Sequence, residues 1–269
     1  FATTMLLMGA ASGQWISLKL PDTPRLANGE PNLQAPMPAR DLSWIWQVNY
    51  PYGNEFLNTG RGGFRRLVPT DFEIPLQPEA RALRDKRDKV DMGGGRPSER
   101  CLPHGVPDHL FHGWFKFVQT PRLSMVLYEE FNMYRQIHTD GRAHPADPNP
   151  AWFGYSVGNW DGDVFVVDTR GFKTGDAWEF GWMDDSGIPF SESLRVVERY
   201  RRVNFGQLHL DLTIEDPKVF TRPWTFGVDF RLRPDTEMIE DICENEKDYR
   251  GGHQGEVGPP RAERAVVAN

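Results

Sequence analysis

A succession of short β-prone runs in the second half of the chain is the feature that most constrains its fold. Each run is rich in Val, Ile, Phe, Tyr, Trp or Thr and is bounded by turn-forming residues such as Gly, Pro, Asn and Asp. The connections leave little room for the crossover helices that parallel strands need. The predicted strands cover residues 115–119, 123–129, 132–139, 152–160, 164–169, 193–203, 207–215, 224–232 and 237–243. We therefore expect a mainly β fold, an antiparallel meander that closes into a lipocalin-like barrel because an open sheet would leave exposed edges.

Two Asp-Gly pairs indicate tight turns within this series. Asp140-Gly141 follows the run at 132–139, and Asp161-Gly162 separates the runs at 152–160 and 164–169. Asp-Gly between alternating segments is a strong signal for a β-hairpin. We therefore expect a hairpin turn at each pair.

The part of the chain before residue 101 lacks this pattern. Residues 21–51 are rich in Pro, Asn and Asp, with Trp44 and Trp46 as strong anchors, which indicates an extended arm. Residues 77–89 have the Ala, Leu, Arg and Lys content of a helix interior and predict one short helix. The resulting division is a signal remnant and arm at 1–51, a helix-containing connector at 52–100, the barrel domain at 101–248 and a tail at 249–269.

The N-terminal residues and the cysteines bear on location. Residues 1–12 have the apolar stretch and small-residue end of a secretory signal, which predicts a periplasmic or secreted protein. The other interpretation is an ordered arm that packs on the domain, and the apolar stretch is too short to span a bilayer. Cys101 and Cys243 permit one disulfide, and the sequence leaves open whether they pair.

The net charge bears on the partners. A formal charge of −7 repels phosphate backbones, so nucleic acid is not an expected partner. The basic run at 81–89 is interrupted by aspartates. The arm carries Trp15, Trp44 and Trp46, enough aromatic anchors to lie along a membrane protein complex. Assembly into a homo-oligomer is also left open.

Alternation sorts the polar residues of one long strand onto two faces. One face holds Leu194, Val196, Glu198 and Tyr200, and the other holds Arg195, Val197, Arg199 and Arg201. Because one face of a small barrel is internal, either the apolar face is internal and holds a carboxylate, or the other face is internal and holds a row of arginines. The alternative is a solvent-facing ladder of Arg and Glu.

The run at 132–139 carries the candidate catalytic residues. Tyr134, Gln136 and His138 share one face, and Arg135 lies on the other. Tyr, Gln and His make a binding or acid–base row, since an imidazole exchanges a proton near neutral pH. We therefore expect Tyr134, His138 and Arg135 to be catalytic, with a purely structural role for the histidine as the alternative.

Three histidines lie in one short segment. His104, His109 and His112 could in principle supply the three ligands of a catalytic zinc site. Their spacing matches no helical metalloprotease or zinc-finger pattern, and Pro103 and Pro107 prevent a regular helix. No metal ligand and no cofactor are therefore expected.

Several long motifs resemble a large, mostly uncharacterised family of exported bacterial proteins. The resemblance rests on YRQIHTDGRAHPADPNPAWFGYSVGNWDGDVFVVDTRGF, SESLRVVERYRR, IEDPKVFTRPWT and a final C-x-N-E, which together span about residues 101–248. Residues 24–33 look like the N-terminal lead of that family. One departure is the loop before SE-x-L-R, where Ile188 and Phe190 replace two histidines of the family pattern.

A weaker similarity links these motifs to cofactor-independent lyases and decarboxylases that act on lignin-derived aromatic compounds. That resemblance implies that Tyr134 or His138 moves a proton while arginines hold a carboxylate and aromatic rings stack on the substrate. The residues assigned to substrate binding are Arg142, Arg195, Arg222, Trp224, Trp152 and Tyr155. The expected function is a cofactor-independent lyase or isomerase acting on an aromatic or apolar small molecule in a barrel pocket. The alternative is a non-catalytic exported ligand-binding protein or an extrinsic subunit of a membrane complex.

Overall fold

The closed β-barrel predicted from the sequence is present. The computed structural model describes residues 18–50, 67–69, 71–89, 97–179, 181–184 and 186–243. Nine strands within these ranges form one barrel in which each strand pairs with the next and the last pairs with the first. The strands are β1 (Ile45–Asn49), β2 (Trp114–Gln119), β3 (Leu123–Tyr128), β4 (Tyr134–His138), β5 (Tyr155–Asp161), β6 (Val164–Arg170), β7 (Arg195–Asn204), β8 (Gln207–Glu215) and β9 (Trp224–Leu232).

One pair of neighbouring strands is parallel. The pair is β4 and β5, where Ile137 lies opposite Ser156, and the other neighbouring pairs are antiparallel. Strand directions cannot alternate throughout a closed barrel with an odd number of strands, so one parallel pair is geometrically required. The predicted hairpin at Asp140-Gly141 is therefore wrong, because the chain from 139 to 154 connects two parallel strands. The hairpin at Asp161-Gly162 is confirmed.

The first strand of the barrel comes from the segment for which the sequence indicated an extended arm. β1 pairs with both β2 and β9 and thereby closes the barrel. Trp46 is fully buried, and its indole Nε1 donates to the carbonyl oxygen of Leu42 at 3.0 Å. The run at 237–243 is not a strand, and in it Asp241 forms an isolated bridge to Glu130. The barrel therefore closes with β1 in place of the predicted C-terminal strand.

The interior of the barrel is packed with large side chains. Buried, inward-facing positions on these strands alternate with partly buried or exposed ones, as the pleat of a strand with one inner face requires. The largest side chains that are essentially inaccessible to solvent include Trp46, Phe115, Phe117, Phe165, Tyr200 and Phe230. Aromatic burial on this scale dominates the energetics of a small core.

The predicted helix is confirmed as α1 (Pro78–Lys89). Proline suits the first helical position, because its missing N–H would have no partner inside the helix. Arg87 fixes the helix to the loop before β7 by donating to the carbonyl oxygens of Gly181 and Trp178, each at 2.8 Å. Burial lowers the pKa of this guanidinium to about 10. None of the helices in the described part of the chain has the length and apolar content to cross a membrane.

The residues that precede β1 lie against the outer wall of the barrel. The guanidinium of Arg25 forms an ion pair with Asp235 at 2.6 Å, and Gly206 N donates to the carbonyl oxygen of Leu33 at 2.7 Å. These contacts connect residues 18–44 to the ends of β7, β8 and β9. The predicted signal remnant at 1–12, Trp15, the start of the connector and the tail at 249–269 lie outside the described residues.

Candidate functional site

Polar, ionisable side chains gather where the loop before β2 meets the turn between β3 and β4. The loop covers residues 101–113, and the turn covers 129–133. The group consists of His104, Asp108, His109, His112 and Glu130, and we refer to it as the histidine–carboxylate cluster.

Local sequence explains how the loop presents these residues. Pro103 and Pro107 restrict the backbone, and the 3₁₀ turn Asp108–Phe111 follows them. Gly105 has a φ of +78°, and a Cβ at this position would lie 2.7 Å from the carbonyl oxygen of Trp152. Only glycine accepts that conformation and that close approach without strain. The loop is therefore held against the chain that leads into β5.

The turn that carries Glu130 also has an unusual backbone. Phe131 and Asn132 have φ values of +59° and +52°. Positive φ at a phenylalanine is uncommon and costs about 1–3 kcal/mol, and such conformations concentrate at functional sites. The turn places Glu130 beside the histidine loop.

A disulfide joins the start of the histidine loop to the chain beyond β9. Cys101 and Cys243 are bonded, with their Cα atoms 5.5 Å apart. The pairing that the sequence left open is therefore present. Together with the bridge between Glu130 and Asp241, it ties the cluster to the segment after β9.

His104 lies between the two carboxylates of the cluster. Its Nδ1 is 2.8 Å from Asp108 Oδ2, and its Nε2 is 3.3 Å from Glu130 Oε1. An ionised carboxylate can only accept, so Nδ1–H of His104 donates to Asp108. The ring of His112 stacks on that of His104 at a centroid distance of 4.1 Å, and His112 Nε2 is 3.4 Å from Asp108 Oδ1.

His109 leaves two buried polar atoms facing each other. Its ring is fully buried, and Nε2 lies 3.1 Å from the backbone carbonyl oxygen of Glu130, to which it donates. Nδ1 is then an acceptor, and it lies 3.8 Å from Glu130 Oε2. Neither atom has a hydrogen-bond partner among the described residues. Two such acceptors are stabilised by a cation or a hydrogen-bond donor between them.

The charges of the cluster shift the pKa values of its members in opposite directions. Burial alone would lower the pKa of His104, but the charges of Glu130 and Asp108 outweigh burial and raise this pKa well above its ordinary value. Burial would likewise raise the pKa of Glu130, but the histidines lower it to about 2, and they also lower the pKa of Asp108. Burial lowers the pKa of His109 to about 4. Both carboxylates are therefore ionised at neutral pH.

Three members of the cluster could ligate a metal ion. Ligand atoms of His104, His112 and Glu130 all lie within 4.8 Å of one another. Tetrahedral zinc with bonds of about 2.1 Å separates its ligand atoms by roughly 3.4 Å, so binding would require a modest inward rotation of the side chains. The hydrogen bond from His104 to Asp108 is the carboxylate–histidine arrangement that orients metal-binding imidazoles.

Aromatic side chains surround the cluster. The ring of His109 is 4.6 Å from that of Tyr128 and 5.3 Å from that of Phe153, and Phe131 stacks beside His104 at 6.1 Å. The side chain of His112 is 26% exposed, against 7% for His104 and 0% for His109. A small molecule would therefore reach the cluster past His112.

The predicted catalytic residues are divided between the two sides of the barrel wall. Tyr134 is 57% exposed on the outside, whereas Arg135 is 2% exposed inside. On the outer wall, the ring of His138 lies 4.9 Å from that of Tyr155, and Arg142 donates to the Tyr155 hydroxyl at 3.2 Å. The structure thus brings three of the predicted site residues together on the outer wall and separates them from Arg135.

Arg135 and Glu198 form an ion pair inside the barrel. The guanidinium donates to both carboxylate oxygens, at 2.9 and 2.5 Å, and also to Ser156 and Thr169. The Tyr200 hydroxyl donates to Glu198 at 2.7 Å. The carboxylate predicted on the apolar face is therefore present, with Arg135 as its partner.

The remaining predicted binding residues lie apart from one another. Arg195 faces outward and binds Asp168 at 2.7 Å, Arg222 is exposed, and Trp224 is buried against Phe226. Trp152 lies 5.3 Å from the ammonium of Lys173, and its carbonyl oxygen is close to Gly105. Their roles in substrate binding stay predictions.

Sequence reasoning found the histidine segment but not its carboxylates. The spacing of His104 and His112 around Asp108 is i, i+4 on both sides, which is the signal that could have included Asp108. Glu130 is brought to the site only by the pairing of β2 with β3, which no local pattern reveals. Comparison of the chain with protein-family models, curated proteins and solved structures found no match.

Proposed function

We propose that the protein binds a divalent transition-metal ion, zinc in the first instance, at the histidine–carboxylate cluster. The observation that carries this proposal is the convergence of His104, His112 and Glu130 within 4.8 Å, with Asp108 bonded to the second nitrogen of His104. Two imidazoles and one carboxylate are a ligand set of catalytic zinc sites, which keep a fourth position for water or substrate. Residues of the cluster thus favour a catalytic site over a closed structural one.

The charge of the cluster supports a cation. Two carboxylates, the buried Asp108 and the partly buried Glu130, face imidazoles that are neutral when they ligate a metal. A divalent ion that displaces the proton of His104 would balance those two negative charges. It would also approach Glu130 Oε2, which has no hydrogen-bond partner among the residues that the structure describes. This proposal replaces the cofactor-free site expected from the sequence.

The proposed chemistry is metal-assisted lyase or isomerase chemistry on an aromatic or apolar small molecule. Elimination, decarboxylation and isomerisation next to a carbonyl all develop negative charge on oxygen, and a bound cation stabilises that charge. Phe131 and Phe153 supply apolar surface beside the cluster, and His112 lies on its accessible side. These features support a substrate with an apolar body and an oxygen that reaches the metal.

Calorimetric titration of chelator-treated protein with Zn²⁺ tests the metal site. We expect one ion per chain for the wild type, and at least about tenfold weaker binding for His112→Ala and for Glu130→Gln, since each loses one ligand. The matched control is His209→Ala. His209 also lies between carboxylates, 2.7 Å from Asp229 and 3.3 Å from Asp211, but on the outer wall. Undiminished binding by both cluster variants would overturn the proposal.

Turnover of a panel of aromatic carboxylates tests the chemistry. Metal-loaded protein should transform a member of the panel, and chelator-treated protein and His112→Ala should lose that activity while His209→Ala keeps it. Equal turnover with and without metal would show that the reaction is metal-independent and would contradict the proposed role of the cluster.

A further inference from the structure

A cavity lined by none of the residues of the histidine–carboxylate cluster lies on the outer wall of the barrel. The residues that precede β1 and the segment after β9 enclose this cavity of about 380 Å³ against β1 and β2. Its floor is the cross-strand pair Ile45 and Lys116. Ile45 is 3% exposed although it faces outward, because the covering chain shields it. The volume falls in the range of small-molecule sites.

The covering chain is held in place by ion pairing. Arg25 bonds both carboxylate oxygens of Asp235, at 3.0 and 2.6 Å, and Leu20 N donates to Asp235 Oδ1 at 3.0 Å. Thr236, which lines the cavity, is 9% exposed. The cavity therefore has fixed walls on both sides.

Its walls combine an apolar surface with one cation that has no ionic partner among the residues that the structure describes. Met37, Trp44 and Ile45 supply the apolar surface, and Trp44 is fixed edge-on against Phe205 at 4.8 Å. The guanidinium of Arg233 also lines the cavity, 5.1 Å from the ring of Trp114. It makes no hydrogen bond or ion pair with any described residue.

Among the other charged residues of the cavity, Lys116 and Asp41 have partners and Asp22 is exposed to solvent. Lys116 lies 3.6 Å from Glu237, and Asp41 accepts from the backbone N–H of Ser43 at 3.0 Å and from its hydroxyl. The carboxylate of Asp22 belongs to an exposed residue at the rim. Arg233 is therefore the charge that a ligand would match.

We infer that this cavity binds a small organic carboxylate with an apolar or aromatic body. The carboxylate would accept from the planar guanidinium of Arg233, whose paired N–H groups fit a carboxylate in a bidentate manner. The body would lie between Trp44 and Met37 over Ile45. The inference is independent of the metal site, and it gives the protein a ligand-binding capacity that does not require catalysis.

Calorimetry with 2-naphthoate and its neutral amide, 2-naphthamide, tests this inference in the presence of a metal chelator. Wild-type protein should bind the acid at least about tenfold more tightly than the amide, because hydrogen bonds to a charged partner are stronger than those to a neutral one. Arg233→Met should bind the acid more weakly by the same factor. Arg231→Met is the matched control, since Arg231 lies two residues earlier and donates to Gln47 at 2.9 Å outside the cavity.

Each outcome decides the question. Binding of the acid by wild type and Arg231→Met, with loss in Arg233→Met at unchanged melting temperature, supports the site. Trp44→Ala supplies a second readout, because it removes the apolar wall and should weaken acid and amide alike. Equal binding of acid and amide, undiminished binding by Arg233→Met, or no binding of the acid by wild type at millimolar concentration would each overturn the inference.

Discussion

Removal of the negative charge from the ion pair inside the barrel should destabilise the protein strongly. Glu198→Gln keeps the size of the side chain but leaves the guanidinium of Arg135 buried without a counter-charge. The two side chains are 1% and 0% exposed and are joined at 2.5 Å. Removing one partner of such a pair costs about 3–5 kcal/mol, because the remaining charge is still excluded from water.

Several contacts around the pair bear on that magnitude. Glu198 Oε1 accepts from both Arg135 and the Tyr200 hydroxyl, at 2.9 and 2.7 Å. A glutamine can keep one oxygen acceptor, but its NH₂ would face the guanidinium of Arg135. Ser156 and Thr169 still accept from Arg135 but carry no charge. We therefore expect the upper part of the range.

Urea unfolding monitored by tryptophan fluorescence measures the effect. With a slope of roughly 3 kcal/mol per molar urea, a loss of about 4–5 kcal/mol moves the midpoint down by roughly 1.5 M. The matched control is Glu215→Gln, which breaks an arginine–glutamate pair on the outer wall. Both side chains of that pair are 34% exposed, and Arg195 keeps Asp168 as a second partner, so the cost should stay below about 1 kcal/mol.

A double variant separates lost charge from lost packing. Arg135→Met with Glu198→Leu replaces the pair by apolar side chains and should recover most of the stability, as buried pairs replaced by apolar groups often do. Equal midpoint shifts for Glu198→Gln and Glu215→Gln would refute the reasoning. So would a double variant less stable than Glu198→Gln.

Three further variants test other parts of the fold. Gly105→Ala should lower the free energy of unfolding by about 1–3 kcal/mol, because the new Cβ would lie 2.7 Å from the Trp152 carbonyl oxygen at a φ of +78°. An unchanged midpoint in urea titrations would contradict this close approach. Breaking the disulfide with Cys101→Ser and Cys243→Ser should cost roughly 4–5 kcal/mol, since the bond closes a loop with a sequence separation of 142, and an unchanged melting temperature would count against it. Arg25, the partner of Asp235, lowers the pKa of that carboxyl, so the pair stabilises the fold above a pH of about 4, and this stabilisation is lost as the pH falls. The melting temperatures of wild type and Asp235→Asn should therefore differ at pH 7 and approach each other in acid, and a difference that is constant with pH would contradict this.

Strands with long alternation could be predicted from the sequence, and strands defined by distant partners could not. The predicted runs at 207–215 and 224–232 coincide with β8 and β9, because nine residues of alternating burial specify both period and ends. β1 has five residues and follows a stretch rich in proline. It is a strand because β2 and β9 each provide an edge, and that information lies far away in the sequence.

The same distinction applies to the candidate site. The local spacing of three histidines was visible, yet it argued against a metal because it fits no helical motif. Glu130 joins them through the turn after β3, and the interior position of Arg135 depends on which face of β4 the closed barrel turns inward. Alternation sorted Tyr134 and Arg135 onto opposite faces, but it could not tell which face was internal.

The central claim is that His104, His112 and Glu130 bind one metal ion. The most direct measurement is an anomalous difference map from crystals of chelator-treated protein soaked in Zn²⁺, collected on both sides of the zinc absorption edge. We predict one peak at about 2.0–2.2 Å from a nitrogen of each histidine and an oxygen of Glu130. A map with no peak at the cluster, or with zinc bound only at surface histidines such as His209, would contradict the claim.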